Sequence, residues 1–376
     1  VIYLDSAATS FQKPAAVQAA VSRAMEELSS PGRGGYDAAM KAAETALTCR
    51  TELQELFHAG DPERVAFTMN ATHGLNIAIK SLVPSGGSAV VSGYEHNAVT
   101  RPLAALGAKV TVASGCLFHP EQILDSFDRA VRPGLDAVIC NHVSNVFGFT
   151  LPIEQIAELC RERKVPLIID ASQSAGILPL NFEALGAAFL AMPGHKGLYG
   201  PQGTGVLICG RDVPVRTLLE GGTGSLSMQQ EMPDFLPDRL EAGTHNMPGI
   251  AGLLEGVRFV RRRGLASICW EERTLAAMAA EGLRQLRGVQ VFAQNDLYAQ
   301  TGVLSFLPDS MDAEKMGAAL SERNIAVRTG LHCAPLAHKS AGTLKTGTVR
   351  VSVSVFNTKK EIFQFVDTVE EILRTA

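Results

Sequence analysis

The chain has 376 residues, of which 46% are hydrophobic and 19% charged, and its formal net charge is −4. That balance excludes a disordered chain, and the length suits about two domains. The near-neutral charge gives no general attraction to nucleic acid or to an anionic membrane, and no apolar run approaches the roughly 18 residues of a membrane-spanning helix.

The first residues, Val1-Ile2-Tyr3-Leu4-Asp5, read as a short strand without the basic-then-apolar layout of a signal peptide. Val17, Val21, Met25 and Leu28 recur at helical spacing behind Pro14, and a second helix is expected over about 36–57. The texture then alternates. Short apolar runs at 65–69, 89–91, 109–112, 136–140 and 165–170 are separated by helical stretches near 74–82, 97–106, 120–130 and 152–164. Apolar strands with no polar face, alternating with helices, predict an α/β domain with a mostly parallel sheet covered on both faces. Runs at 188–192 and 204–209, with no long helix between them, predict a hairpin that closes the sheet. Helices at 247–263 and 269–286 lead into strands near 289–292, 303–307, 325–328 and 348–354, and Thr358-Lys359-Lys360-Glu361 has the pattern of a capping box. This second texture predicts a smaller α+β domain over 256–376, a large domain over 14–255, and an N-terminal segment, 1–13, packing with the small one. The seven cysteines contain no Cys-x-x-Cys, which predicts reduced thiols in a cytoplasmic protein without a disulfide frame or zinc site.

In an open parallel sheet, ligands bind beyond the carboxyl ends of the strands. Beyond the first run lies Asn70-Ala71-Thr72-His73-Gly74, where free N–H groups and the Thr72 hydroxyl suit a phosphate or, equally, a plain helix cap. No P-loop and no dinucleotide-binding glycine fingerprint occurs anywhere. Beyond the next strands lie Glu95-His96, the polar cluster Asn141-His142-Val143-Ser144-Asn145, and Asp170, a carboxylate costly to bury without a cation or strong donor unless it caps a turn. Lys196 sits in a glycine-rich turn, Gly194-His195-Lys196-Gly197, between two apolar strands. A partly buried lysine loses its proton readily, as Schiff-base chemistry requires. A phosphate turn, a flat ring, a carboxylate for a pyridinium nitrogen and an amine for an aldehyde together fit pyridoxal 5'-phosphate. Six cysteines fall in helical or strand stretches, where a small buried hydrophobe is expected. Cys333 instead lies in the polar loop Arg328-Thr329-Gly330-Leu331-His332-Cys333-Ala334-Pro335, where a neighbouring His or Arg would favour the thiolate. Arg350, on an alternating strand, is expected to face inward and bind a carboxylate in bidentate fashion.

These residues resemble the class V aminotransferase family of pyridoxal phosphate enzymes (fold type I), and within it the cysteine desulfurase and selenocysteine lyase branch. The resemblance rests on Tyr3-Leu4-Asp5-Ser6-Ala7-Ala8, Glu95-His96, Asp170-x-x-Gln173, Gly194-His195-Lys196-x-x-Tyr199-Gly200-Pro201 and Arg328-Thr329-Gly330-x-His332-Cys333, and so spans nearly the whole chain. It implies that Lys196 is the Schiff-base lysine, that Asp170 holds the pyridinium nitrogen, and that Gln173 bonds the phenolic oxygen. His96 would stack on the ring, and Ala71, Thr72 and His195 would hold the phosphate. Thr244 would reach the phosphate of a second subunit, which implies a homodimer with shared active sites. Asn145, also beside the cofactor, would clamp the substrate carboxylate with Arg350, and Arg328 would assist. Cys333 would be the sulfur acceptor, taking sulfur from L-cysteine as a persulfide, releasing alanine and passing the sulfur to a reductant or an acceptor protein. An aminotransferase, or a selenocysteine or other β-lyase, would use the same site. Departures from the family pattern are Pro193, where many members carry a Ser hydroxyl, a short 221–244 segment, and Pro31-Gly32-Arg33-Gly34-Gly35 near the entrance.

Overall fold

The computed structural model describes residues 1–32, 34–294 and 299–375. Arg33, in the unusual glycine-rich stretch, lies outside the described residues. Two helices open the large domain, α1 (Ala15–Glu27) and α2 (Asp37–Phe57). The alternation that follows is β2 (Val65–Thr68), α3 (Ala71–Leu82), β3 (Ser88–Ser92), α4 (Asn97–Ala105), β4 (Lys109–Ala113), α5 (Pro120–Ala130), β5 (Ala137–Asn141), α6 (Ile153–Glu162) and β6 (Leu167–Asp170). A short α7 (Phe182–Leu185) leads to β7 (Phe189–Pro193) and β8 (Gly205–Cys209).

The seven strands run in the order β2-β8-β7-β6-β5-β3-β4, and the expected α/β architecture with a mostly parallel sheet is present. Burial on both faces follows from alternation within all-apolar strands. Val90, Val138, Cys140, Ile169, Leu190 and Ile208 face one core with Leu53, Phe127 and Ile156, while Val91, Ile139, Ile168, Ala191 and Leu207 face another with Leu75 and Val99. The hairpin expectation needs one correction. β8 does run antiparallel to β7, but it does not close the sheet, because β2 pairs antiparallel to its outer side and takes the edge. Local strand alternation carries no information about which strand a hairpin partner finds on its far side.

α8 (Met247–Arg263) is one continuous helix, so residue 255 falls inside it rather than in a linker. Its face packs back on the large domain, with Ile250, Leu253, Leu254 and Val257 in the same core as Leu53 and Phe57. α9 (Leu265–Arg284) then leads to β9 (Val289–Phe292), β10 (Val303–Pro308) and α10 (Ala313–Glu322). The run expected at 325–328 is two strands, β11 (Ile325–Ala326) and β12 (Arg328–Gly330), followed by α11 (Pro335–Ser340), β13 (Thr348–Ser352) and α12 (Lys359–Thr375). The antiparallel order is β12-β13-β10-β9, and β11 leaves this sheet to pair in parallel with β1 (Ile2–Tyr3). Ile2 and Leu4 thereby join Phe306, Phe365 and Val351 in one core. The capping box forms as its sequence pattern requires, with Thr358 N donating to Glu361 Oε2 (2.7 Å) and Glu361 N to Thr358 Oγ1 (3.3 Å). Among the described residues no helix is long and apolar enough to cross a membrane.

Candidate active site

The carboxyl ends of β3, β5, β6 and β7 open on one cavity of about 210 Å³. Ala71, Thr72, His96, Asn145, Asp170, Gln173, His195, Lys196, Arg328, Cys333 and Arg350 all line it, though they span more than 270 positions of chain. Thr244 does not. It is exposed and lines a separate cavity beside Phe67, Met69 and Leu219.

Each wall has a local cause. Asn70 caps α3, its Oδ1 accepting from His73 N at 2.9 Å, and among the described residues the N–H groups of Ala71 and Thr72 find no acceptor at this helix N-terminus. His96 caps α4 in the same way, its Nδ1 accepting from Ala98 N at 3.0 Å, which fixes the ring at the cavity edge. One carboxylate oxygen of Asp170 accepts from Ser172 N at 2.9 Å, as a turn cap does, while the residue also lines the cavity. The Lys196 turn is closed by Tyr199 N to Lys196 O (2.9 Å) and Gly200 N to Gly194 O (2.8 Å). Gly197 is required there, since a Cβ would lie 2.4 Å from the Ala175 carbonyl oxygen.

The N-terminal segment supplies a wall whose importance the sequence reading missed. Gln173 Nε2 donates to Ala7 O (2.9 Å), Thr9 Oγ1 meets His195 Nδ1 (3.0 Å), and Ser10 Oγ donates to His195 O (2.9 Å). Asp5 Oδ1 pairs with Arg350 Nη2 at 2.6 Å, and Arg350 Nη1 donates to Asn145 O at 3.0 Å. Arg350, 2% exposed, faces inward as expected, yet its counter-charge inside the chain is Asp5. Its Nε is buried without a partner. A carboxylate following an apolar strand was the available signal for Asp5, the same signal that pointed to Asp170. Glu95 is fully buried between Ser92 Oγ and Asn141 N, and its Oε2 has no partner.

Electrostatics follow from this burial. Lys196 is half-buried, and desolvation of its amine lowers its pKa to about 8, with Asp170 opposing and Arg350 and Arg328 assisting. Burial also lowers His96, and it lowers His195 to about 4 with help from Lys196 and Lys13. Glu95 is raised to about 8 by burial, so it is predominantly a neutral acid near pH 7.

Cys333 is exposed at the cavity mouth, whereas Cys49, Cys140, Cys160, Cys209 and Cys269 are buried. Burial raises the thiols of Cys49, Cys160 and Cys209 to about 12. Cys116 corrects the expectation for the other six. It lies exposed in the loop between β4 and α5, where its N–H bonds Gln122 Oε1 at 3.0 Å. His332 and Cys333 both adopt left-handed backbone, at φ 50° and 55°, a conformation costing L-residues about 1–2 kcal/mol each. The His332 ring turns into the protein, its Nδ1 3.3 Å from His338 Nε2, so it is not the thiol's general base. Asn145 is committed as well, its Nδ2 donating to His332 O at 2.9 Å, while its Oδ1 is buried without a partner.

Such an architecture, an α/β domain and a small antiparallel domain meeting over a half-buried amine, defines an enzyme of the fold type I kind. The family model for aminotransferase class V matches residues 2–365, and the chain belongs to that family. It is 31% identical to a probable cysteine desulfurase of Methanothermobacter thermautotrophicus, over 99% of this chain and 94% of that protein. It is also 31% identical to a cysteine desulfurase of Klebsiella pneumoniae, over 98% and 93%. Among solved structures, the apo cysteine desulfurase of Thermococcus onnurineus superposes with a TM-score of 0.89 at 29% identity, covering 100% of this chain and 95% of that one. The cysteine desulfurase CsdA of Escherichia coli, in an S-sulfonic acid form, gives 0.86 at 26% identity, covering 99% and 94%.

Proposed function

We propose that this protein is a pyridoxal 5'-phosphate-dependent cysteine desulfurase in which Cys333 receives the sulfur. The observation that carries the reading is that an exposed thiol on a strained turn shares one cavity with a half-buried amine, a buried carboxylate and a buried arginine. The residues fit the cofactor. Ala71 and Thr72 offer unpaired N–H groups for its phosphate, Lys196 an amine for its aldehyde, Asp170 a carboxylate for its ring nitrogen, and His96 a flat ring. The unpartnered Oδ1 of Asn145 and Nε of Arg350 are buried polar groups that a ligand would satisfy. When bound, the cofactor supplies an electron sink for a carbanion next to the amino group.

The chain does the rest. Lys196, with its pKa near 8, has an appreciable neutral fraction at physiological pH and can take and return a proton at the substrate carbon. Arg350 supplies a fixed, desolvated charge for the substrate carboxylate, with Asn145 beside it and Arg328 at the exposed rim. The Cys333 thiolate attacks the substrate sulfur. A sulfur–sulfur bond forms as the carbon–sulfur bond breaks, and the carbon gains a proton to give alanine. A second thiol, from a reductant or an acceptor protein, must then remove the persulfide sulfur, and the exposed position of Cys333 supports such access. Thr244 lies outside the cavity of its own chain, which supports the reading that it serves the phosphate of a second copy in a homodimer. The reduced thiols and the need for a thiol acceptor suit a cytoplasmic setting.

The test is incubation with L-cysteine and a thiol reductant. Wild type should release alanine and sulfide in equal amounts, and Cys333→Ala should lose both by at least about 100-fold while keeping the absorbance of bound cofactor. Keto-acid release without alanine or sulfide would replace this reading with an aminotransferase.

A further inference from the structure

The turn that presents Cys333 combines three left-handed residues, Gly330 (φ 97°), His332 (φ 50°) and Cys333 (φ 55°). Such a turn persists only where its surroundings over-determine it. Backbone contacts account for part of that: Ala334 N donates to Leu331 O (2.8 Å), Asn97 N to Cys333 O (2.7 Å), and Asn145 Nδ2 to His332 O (2.9 Å). The side chain of His332 is held separately. Its Nε2 lies 3.3 Å from Arg328 O, and its Nδ1 3.3 Å from Nε2 of His338, the two ring planes being within 14° of parallel and their centroids 5.5 Å apart. His338, fully buried, places its Nδ1 2.7 Å from the hydroxyl of Thr343.

Proton bookkeeping fixes the direction of this chain. A carbonyl only accepts, so Nε2 of His332 carries the hydrogen that meets Arg328 O. A neutral imidazole has one N–H, so Nδ1 of His332 is a lone pair and His338 Nε2–H donates to it. Nδ1 of His338 is then also a lone pair, and the Thr343 hydroxyl donates. The reverse direction would set a nitrogen lone pair against the Arg328 carbonyl. A doubly protonated His332 would fit the distances, but burial and the Arg350 charge lower its pKa to about 3. The far end of the chain is anchored independently, since Thr343 N donates to His338 O (2.8 Å) and Ser340 Oγ to Gly93 O (2.8 Å).

We propose that Thr343 and His338 are positioning residues for Cys333. The Thr343 hydroxyl sets the tautomer of His338, His338 sets that of His332, and the ring so fixed holds the left-handed turn that aims the thiol into the cavity. The effect on turnover rests on Cys333 being the sulfur acceptor; the hydrogen-bond chain itself does not.

The test compares holoenzyme variants Thr343→Val, which keeps the shape and removes the donor, and Thr343→Ser, which keeps the donor. In wild type, nitrogen-15 spectra of the histidines should place the proton of both His332 and His338 on Nε2. With L-cysteine, Thr343→Val should lower kcat by about tenfold, the worth of one buried hydrogen bond, with KM within about twofold. Thr343→Ser should recover kcat to within about twofold of wild type. Iodoacetamide reactivity of Cys333 should change in the Val variant and not in the Ser variant. The proposal is overturned if His332 carries its proton on Nδ1, if Val and Ser variants fall alike, or if Thr343→Val matches wild type in both kcat and thiol reactivity. If wild type releases no alanine, the desulfurase reading fails by itself, and the tautomer spectra and thiol reactivity still decide the proposal.

Discussion

Glu95→Gln isolates the effect of one buried proton. In the fold this carboxyl is held at a pKa of about 8 against an ordinary value of 4.5, chiefly by burial, with its Oε1 accepting from Ser92 and Asn141. A carboxyl whose folded pKa is raised destabilises the fold as pH rises. Below 4.5 both states hold the proton, between 4.5 and 8 only the unfolded chain releases it, and above 8 both release it. Each unit in that window costs about 1.4 kcal/mol, so the full interval of about 3.5 units amounts to roughly 5 kcal/mol as an upper bound. Glutamine keeps the acceptor oxygen and cannot ionise. Urea unfolding at pH 5, 6, 7 and 8, followed by far-ultraviolet circular dichroism at equal cofactor saturation, should show wild type losing stability more steeply than the variant. The difference in slope should approach about 1.4 kcal/mol per pH unit, one proton's worth. Equal slopes would mean that Glu95 is ionised in the fold, and the reasoning from its burial would be wrong.

Glu241→Ala leaves Arg50 buried beside Phe67 with its 2.5 Å ion-pair partner removed, and should destabilise the protein by about 3–5 kcal/mol in denaturant melts. Gly256→Ala places a Cβ 2.1 Å from the Leu198 carbonyl oxygen, two residues past Lys196. It should cost about 1–3 kcal/mol and also weaken cofactor retention, measured as loss of bound-cofactor absorbance on dialysis.

The parallel strands were legible because each is buried on two faces and therefore reads as an uninterrupted apolar run, as in Val138-Ile139-Cys140. The strand-end rule then located Asp170, Lys196 and Asn145 without reference to the fold's details. What escaped depends on neighbours remote in sequence. β8 is inserted between β2 and β7, and β11 and β12 separate at Val327 because one strand has β1 as partner and the other β13. α10 and α11 are short, and Ala, Gly and Ser dilute their periodicity. The commitments of Asp5 and His332 were invisible because one is made to a residue 345 positions away and the other into a buried ring pair. Cys116 misled because a loop cysteine between two apolar stretches reads like part of either.

The ion pair between Asp5 and Arg350 joins residues 345 positions apart. On a ribosome adding about 5–20 residues per second, Asp5 is added roughly 17–70 s before its partner. During that interval the parallel strands β3 to β7 can pair with near neighbours in sequence and Thr9 and Ser10 can reach His195, whereas Ala7 N has no Ser352 hydroxyl to donate to. The corner of the cavity formed by Asp5 and Arg350 is therefore completed only when β13 has been made. A nascent chain halted before that strand would carry the Lys196 turn but neither the buried Arg350 guanidinium nor its ion pair with Asp5.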